Sequence, residues 1–180
     1  MKLVLLASGT GSLAQALIDA GFDISAVITD VPNAHVIDRA IAAGINTAVV
    51  PFEKPREVWD QKIIKKVESF KPDLVISVGF MRILSSEFVS KFRVINSHPA
   101  LLPNFPGAHA VRDALAAGAT ETGCTVHWVD AGVDTGPGIS QVTVPIEPND
   151  DESTLHERIK IVERKLIVET VKKLIEGSGQ

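Results

Sequence analysis

The sequence lacks the features that mark several classes of protein. It contains one cysteine, Cys124, among 180 residues, which excludes an internal disulfide and a cysteine-based zinc finger and fits a reducing compartment. No apolar run approaches the ~18 residues of a membrane-spanning helix. The five apolar residues Leu3–Ala7 fall short of the ~7 that form the core of a signal peptide. We therefore expect a soluble cytoplasmic protein.

An excess of positive charge is missing too. Lysine and arginine total 18 against 22 aspartate and glutamate residues, for a net charge of −4, which disfavours a nucleic-acid-binding surface. His35, His109 and His156 have no partner at a metal-ligand spacing, so we expect no metal. We expect small molecules as partners, with no nucleic acid and no membrane. The sequence leaves a monomer and a homodimer both open.

The residues that are present are typical of one α/β domain, which we expect to span residues 1–180. Short apolar runs alternate with helical stretches about every 20–25 residues, the spacing of βαβ units. The predicted strands are Leu3–Ala7, Ile24–Ile28, Asn46–Val50, Leu74–Val78, Val94–Ile95, Cys124–Val129 and Ile139–Val144. The predicted helices are Ser12–Ala20, His35–Ala43, Arg56–Phe70, Ser85–Phe92, His109–Ala117 and one that begins near Ser153 or Thr154.

These elements predict a single open, mostly parallel, Rossmann-like sheet of about seven strands with helices on both faces. The last two strands are joined by a short connection, so we expect that pair to be antiparallel. Thr154 and Glu157 are expected to form a capping box at the start of the last helix. Ligands of such sheets bind at the carboxyl ends of the strands.

The segment Gly9–Ser12 follows the first predicted strand and opens the first helix. Glycines let the backbone turn tightly there, and the helix N-terminus offers free N–H groups to a phosphate. The alternative is a plain tight turn. Gly9, Gly11 and Ala14 also fit the dinucleotide pattern, with Asp30 about 20 residues on. A nicotinamide-binding protein therefore stays an alternative.

Asn96 and His98 follow the fifth predicted strand. Two residues apart in an extended segment, they project to the same side, where an amide can stabilise an oxyanion and an imidazole can donate a proton. The alternative is that they only satisfy the backbone of the proline-rich loop. Asp134 lies in a glycine-bracketed loop, from which its carboxylate could reach His98 and favour the imidazolium. Asp130 fits an ordinary turn role better.

Three other positions complete the set of candidates. Arg82 stands among apolar residues after the fourth strand, which suits either packing or an aromatic ligand with an acidic tail. His127 alternates with Val126 and Trp128 and is expected to be a strand-face residue without a ligand role. Cys124 is expected to be inert core.

Five segments together carry a resemblance that runs from Lys2 to about Leu174. They are Ser8–Ser12, Gly79–Leu84, Asn96–Pro103, Phe105–Gly107 and Asp134–Pro137. With Asn-x-His-Pro followed downstream by Asp-x-Gly-Pro, the chain resembles the glycinamide ribonucleotide formyltransferases. The resemblance implies transfer of a formyl group from 10-formyltetrahydrofolate, the co-substrate, to the amine of 5'-phosphoribosylglycinamide in purine biosynthesis.

The resemblance also implies a role for each matching residue. Asn96 and His98 would act on the formyl group, and Asp134 would assist His98. The ribonucleotide would be bound by Gly11, Ser12, Leu13 and Glu163, with the first three at its phosphate and Glu163 at its ribose hydroxyls. The formyl-folate would be bound by Arg56, Met81, Arg82, Ile83, Leu84 and Asn96.

Some features separate the chain from related patterns. Leu13 stands where many members have Asn, and Ser97 and Ala100 replace the more usual Ile and Ser. Methionyl-tRNA formyltransferases carry an additional C-terminal domain and formyl-folate hydrolases an additional N-terminal one, so this length favours the ribonucleotide enzyme. A formyl-folate hydrolase, a formyltransferase for another amine and a nicotinamide-dependent oxidoreductase remain as alternatives.

Overall fold

The first 95 residues form a compact unit of βα repeats. In this computed structural model, which describes residues 1–177, the unit holds four complete strands and the start of a fifth. The strands are β1 (Leu3–Leu6), β2 (Ile24–Thr29), β3 (Asn46–Val49), β4 (Leu74–Ser77) and β5 (Val94–His98), of which β5 continues past residue 95. The helices are α1 (Ser12–Asp19), α2 (His35–Ala42), α3 (Arg56–Glu68) and α4 (Ser86–Lys91).

The strands of this unit pair in parallel. β1 lies between β2 and β4, with Leu3 aligned to Leu74 and Leu5 aligned to Ile76, and β3 pairs with the outer side of β2. Every residue of β1 and β4 is buried. That burial explains why these strands read as continuous apolar runs instead of alternating ones.

The second unit begins at Asn96. It contains the rest of β5, then α5 (Ala110–Ala116), β6 (Glu121–Trp128), β7 (Gly138–Pro145) and α6 (Glu152–Gly177). β6 and β7 pair antiparallel, as predicted. Thr122 lies opposite Val144 and Cys124 lies opposite Val142. α6 packs against both strands. Cys124 is buried, and burial raises the pKa of its thiol to about 12, so the thiol stays protonated.

The strand order is β3-β2-β1-β4-β5-β6-β7. The predicted fold class, an open and mostly parallel α/β sheet of seven strands with an antiparallel last pair, is confirmed. No helix within residues 1–177 has the length and apolar character to cross a membrane.

Two strand boundaries differ from the prediction by three residues each, and the other predicted boundaries differ by two residues or fewer. β5 continues through Asn96 to His98 instead of stopping at Ile95, and β6 begins at Glu121 instead of Cys124. Both extensions consist of residues that hydropathy alone assigns to a loop. The backbone of Glu121 still finds a partner in Pro145 of β7, and it is this pairing, not hydropathy, that sets where a strand ends.

The predicted capping box at Thr154 and Glu157 is wrong. The reciprocal pair is Asp151 and Thr154: the Asp151 carboxylate accepts from the Thr154 N–H at 2.8 Å, and the Thr154 hydroxyl accepts from the Asp151 N–H at 3.0 Å. Aspartate is a preferred N-cap residue, so the helix begins at Glu152, one or two residues before the predicted start. Glu157 accepts from Lys160 instead.

Candidate active site

The last residues of β5 carry two of the predicted catalytic side chains. Asn96 and His98 lie two residues apart in the strand, so their side chains project to one face. The ring of His98 is buried, with Nε2 2.8 Å from the Phe105 carbonyl oxygen and Nδ1 3.3 Å from Asp134 Oδ2. Both facing atoms are acceptors. An imidazolium with a proton on each nitrogen therefore satisfies both contacts.

Asp134 is held by three groups. Its Oδ2 accepts a hydrogen bond from the Gly107 N–H at 2.8 Å, and its Oδ1 lies 3.5 Å from His127 Nε2. Burial raises the pKa of Asp134, but the His127 ring, the Gly107 N–H and the charge of His98 outweigh burial and lower the pKa below its usual value. The carboxylate is therefore charged at neutral pH. The predicted contact between Asp134 and His98 is present.

His127 belongs to the same cluster, although it was predicted to be a strand-face residue without a ligand role. This β6 residue is buried, with Nδ1 2.8 Å from the Trp128 carbonyl oxygen and Nε2 3.3 Å from Asn96 Nδ2. It thus lies between the amide of Asn96 and the carboxylate of Asp134. The only sequence signal was a histidine in the buried register of a strand.

Glu163 forms a separate contact on β5. The Ser97 hydroxyl donates to its Oε1 at 2.7 Å, and Ser97 points away from Asn96 and His98 because strand residues alternate. Glu163 is 4% exposed. Burial raises its pKa to about 7, against the opposing effects of the Ser97 hydroxyl, Lys160 and Arg164. The structure brings Glu163 to Ser97, one of the positions where the chain departs from the commonest family pattern.

A cleft of about 580 Å³ opens beside Asp134. Its walls come from the segment after β5, from one residue of β6, from the loop that contains Asp134 and from the start of β7. They are formed by Leu102, Pro103, Pro106, Thr125, Val133, Asp134, Thr135, Gly136, Gly138, Ile139, Ser140 and Gln141. Asp130, in the same loop, accepts from the Gly132 N–H and the Thr135 hydroxyl, which is the turn role predicted for it.

In the first unit, Gly11 precedes α1 in a left-handed conformation, with φ +74°. A Cβ at this position would lie 2.5 Å from Val36 Cγ2, so only glycine fits. No side chain caps this end of α1, and the first N–H groups of a helix have no partner within it. Leu13 is buried, so its side chain packs in the core and only its backbone N–H can serve an anion.

Arg39 lies against the same loop and was not predicted. Its Nε donates to the Thr10 carbonyl at 2.7 Å, which places a positive charge beside the start of α1. The sequence offered no signal for this contact, because 29 residues separate Arg39 from Thr10.

Asp30 is engaged in a way that does not support the dinucleotide alternative. Its buried carboxylate accepts from the Ser8 hydroxyl at 2.5 Å and from Arg82 Nε at 2.7 Å. The Ser8 oxygen also accepts from the Met81 N–H at 2.8 Å. Both carboxylate oxygens are therefore committed to holding the segment after β4, whereas a dinucleotide site needs this carboxylate for a ribose.

The residues predicted to bind a folate come together in part. Arg56 donates to the Ile83 carbonyl and to Asp60, and the Arg82 guanidinium lies over the Phe52 ring at 4.3 Å. Met81 and Ile83 are 71% and 57% exposed, while Leu84 is buried. The segment therefore presents two apolar side chains beside two arginines. Within residues 1–177, no group of three His, Cys, Asp or Glu side chains is arranged to hold a metal.

Comparisons with known proteins agree on one family. The model of the family described as Formyl transferase matches residues 1–171. A phosphoribosylglycinamide formyltransferase of Mycobacterium tuberculosis (strain CDC 1551 / Oshkosh) is 48% identical over 178 residues, covering 94% of this chain and 83% of that protein. The trifunctional purine biosynthetic protein adenosine-3 of Drosophila melanogaster is 41% identical over 190 residues, covering 99% of this chain and 14% of that protein.

A solved structure shows the same fold. The crystal structure of glycinamide ribonucleotide transformylase 1 from Symbiobacterium toebii superposes with a TM-score of 0.95 at 34% identity, covering 98% of this chain and 88% of that one. The resemblance inferred from the five segments is thereby confirmed at the level of sequence family and fold.

Proposed function

The chain belongs to the formyl transferase family, and from that premise we propose that it transfers the formyl group of 10-formyltetrahydrofolate to the amine of 5'-phosphoribosylglycinamide, a step of purine synthesis. The relative that is 48% identical carries the name of this activity. The observation that carries the proposal is the buried His98 ring, with one acceptor at each nitrogen and the Asn96 amide on the same face of β5.

The chemistry needs groups that stabilise negative charge at one oxygen. The substrate amine attacks the formyl carbon, a C–N bond forms, and the formyl oxygen becomes an oxyanion. The Asn96 amide and the protonated His98 ring are donors for that oxyanion, and such donors act most strongly in the transition state. The His98 Nε2–H then donates to the formyl oxygen instead of the Phe105 carbonyl oxygen, because a charged oxygen is the stronger acceptor.

The second half of the reaction releases the folate. The bond between the formyl carbon and the folate nitrogen breaks, the oxyanion becomes a carbonyl again, and a proton moves from the former amine to the departing nitrogen. Asp134 holds a negative charge 3.3 Å from the His98 ring, and it borders the open cleft. In this proposal Asp134 also positions the water that carries the proton.

The ribonucleotide is assigned to the start of α1 and to Glu163. Backbone N–H groups at Gly11, Ser12 and Leu13 bind its phosphate at a helix N-terminus, and the charge of Arg39 strengthens that site. Because Leu13 stands where many family members have Asn, backbone N–H groups make the phosphate contacts without help from a side chain at that position. Glu163 accepts from the ribose hydroxyls.

The formyl-folate is assigned to Arg56, to the segment Met81–Leu84 and to Asn96. The two exposed apolar side chains of that segment suit an aromatic ring system, and the arginines suit its acidic tail. We also propose that residues 1–180 form a single domain and that the protein is cytoplasmic. Its partners in this proposal are small-molecule substrates, with no metal, nucleic acid or membrane.

A deformylation assay tests the function directly. The absorbance change of 10-formyltetrahydrofolate is followed with and without 5'-phosphoribosylglycinamide. Turnover that requires the ribonucleotide is the expected result. Turnover without it would indicate a hydrolase, and no turnover in either case, combined with binding of NAD, would contradict the assignment.

A further inference from the structure

One short turn contacts both members of the His98–Asp134 pair through its backbone. The Phe105 carbonyl oxygen lies 2.8 Å from His98 Nε2, and the Gly107 N–H donates to Asp134 Oδ2 at 2.8 Å. Asp134 Oδ2 also lies 3.3 Å from His98 Nδ1. The turn, the imidazole and the carboxylate thus form a closed ring of contacts in which both ends of the turn take part.

The turn has an unusual backbone on both sides of its proline. Phe105 has φ +52° and Gly107 has φ +93°, a region that side-chain-bearing residues rarely adopt. Pro106 between them has its φ held by its ring. Asp134 is also left-handed, with φ +54°. Such conformations persist where the surrounding structure demands them, and they concentrate at functional sites.

We propose that the turn Phe105–Gly107 is a backbone clamp that sets the orientation of His98 and Asp134, with Gly107 as its positioning residue. This inference rests on the proposed function, because it concerns the same pair. The clamp fixes which ring nitrogen faces the carboxylate and which carries the proton offered to the formyl oxygen. Glycine suits this position because the N–H that contacts Asp134 belongs to a residue with φ +93°, a conformation that an L side chain disfavours.

Gly107→Ala is the variant that separates this role from simple packing. A Cβ at Gly107 would have nothing within 4 Å, so the substitution adds backbone strain without a clash. The matched control is Gly118→Ala, which follows α5 and has φ +65° and equally open surroundings. Both variants place an L side chain at positive φ, with the greater strain at Gly107 because +93° lies beyond the left-handed α region, and only Gly107 contacts the pair.

The expected result is a fall in kcat for Gly107→Ala of about 10-fold or more, since a small misplacement of reacting groups is costly. The KM values of both substrates should change less than kcat, and Gly118→Ala should keep the wild-type kcat. An equal loss in both variants, or an unchanged kcat in Gly107→Ala, would overturn the clamp.

A spectroscopic measurement tests the clamp without turnover. The five histidines are followed by ¹⁵N NMR, and the His98 signals are assigned by their loss in His98→Gln. In the unmodified chain, the Nε2 proton of His98 should exchange slowly with water. Gly107→Ala should shift the His98 signals and speed that exchange, and Gly118→Ala should leave both unchanged.

The two readouts also separate failure of the clamp from failure of the function. If the unmodified chain transfers no formyl group, the proposed function is wrong, while the exchange of the Nε2 proton still decides whether the clamp exists. A fast-exchanging Nε2 proton in the unmodified chain contradicts the clamp even where Gly107→Ala fails to fold. A lower kcat with unchanged His98 signals also contradicts it.

Discussion

At the scale of single residues, Asp134 shows how position determines what a carboxylate does. Asp130 and Asp134 lie in one loop, but Asp130 accepts only from neighbouring turn groups, whereas Asp134 contacts two histidines and a distant backbone N–H. The first arrangement stabilises the loop, and the second holds a charge next to an imidazole. The difference is directly testable because the two residues are chemically identical.

Asp134→Asn should lower kcat by about 100-fold or more, since an amide keeps the shape but removes the negative charge beside His98. The measurement is steady-state turnover at saturating levels of both substrates. Asp130→Asn is the control and should keep kcat near that of the unmodified chain. If both variants lost activity equally, loop folding would explain the loss and the role of Asp134 would be wrong.

Glu163 should make stability depend on pH. Its pKa of about 7 in the folded chain exceeds that of an unfolded glutamate, so its contribution is complete below the unfolded pKa and is lost as pH rises through 7. From pH 5 to pH 8.5 this group should cost on the order of 3 kcal/mol of unfolding free energy. Glu163→Gln should remove that dependence, as urea unfolding at both pH values would show.

The control for that experiment lies on the same helix. Glu157 is exposed and accepts from Lys160, so Glu157→Gln should keep the pH dependence of the unmodified chain. The idea is wrong if the unfolding free energies of Glu163→Gln and the unmodified chain change in parallel between the two pH values.

At the scale of elements, the loop before α1 depends on one glycine. Gly11→Ala should destabilise the fold by more than ~2 kcal/mol, because the added Cβ meets Val36 at 2.5 Å in addition to the left-handed strain. Gly21 has the same φ of +74° with nothing within 4 Å, so Gly21→Ala carries the strain alone, about 1 kcal/mol. Urea unfolding measures both, and equal losses would contradict the steric argument.

Most of the elements could be predicted because their signal is local. The buried runs of β1 and β4 and the glycines after α1 and α2 are visible within a few residues. The end of β5 could not be predicted, because Asn96, Ser97 and His98 are polar yet stay in the strand. Their side chains contact residues far along the chain, namely His127, Glu163 and Asp134. Hydropathy contains no information about such distant partners.

The same reason explains what was found and missed at the site. Asn96, His98 and Asp134 were identifiable because amide, imidazole and carboxylate have recognisable chemistry at loop and strand ends. His127 was missed because it meets Asn96 across 31 residues and reads locally as one more strand residue. The clamp at Gly107 depends on backbone angles, which a sequence shows only as a glycine.

At the scale of the whole molecule, the property to be tested is whether the two units unfold together in one transition. The chain forms two compact units, and their boundary falls inside β5, between Ile95 and Asn96. The family model nevertheless runs through both, from residue 1 to residue 171. We therefore keep the prediction of a single domain, which requires that both units lose their structure in one transition.

The two tryptophans make that prediction measurable, because each unit contains one. Trp59 is buried and donates to the Val50 carbonyl, while Trp128 ends β6. In Trp128→Phe, fluorescence reports on the first unit alone, and in Trp59→Phe it reports on the second. Each variant is unfolded in urea and followed by fluorescence and by far-ultraviolet circular dichroism, which averages over all helices.

For a single domain, the fluorescence and dichroism midpoints coincide within each variant, even if the variants differ from one another in stability. The comparison is internal, so the destabilisation expected from shortening the buried Trp59 does not affect it. Separate midpoints in either variant would mean that the units unfold independently. In that case the boundary inside β5 would divide the chain into two domains, and the prediction of one domain over residues 1–180 would be wrong.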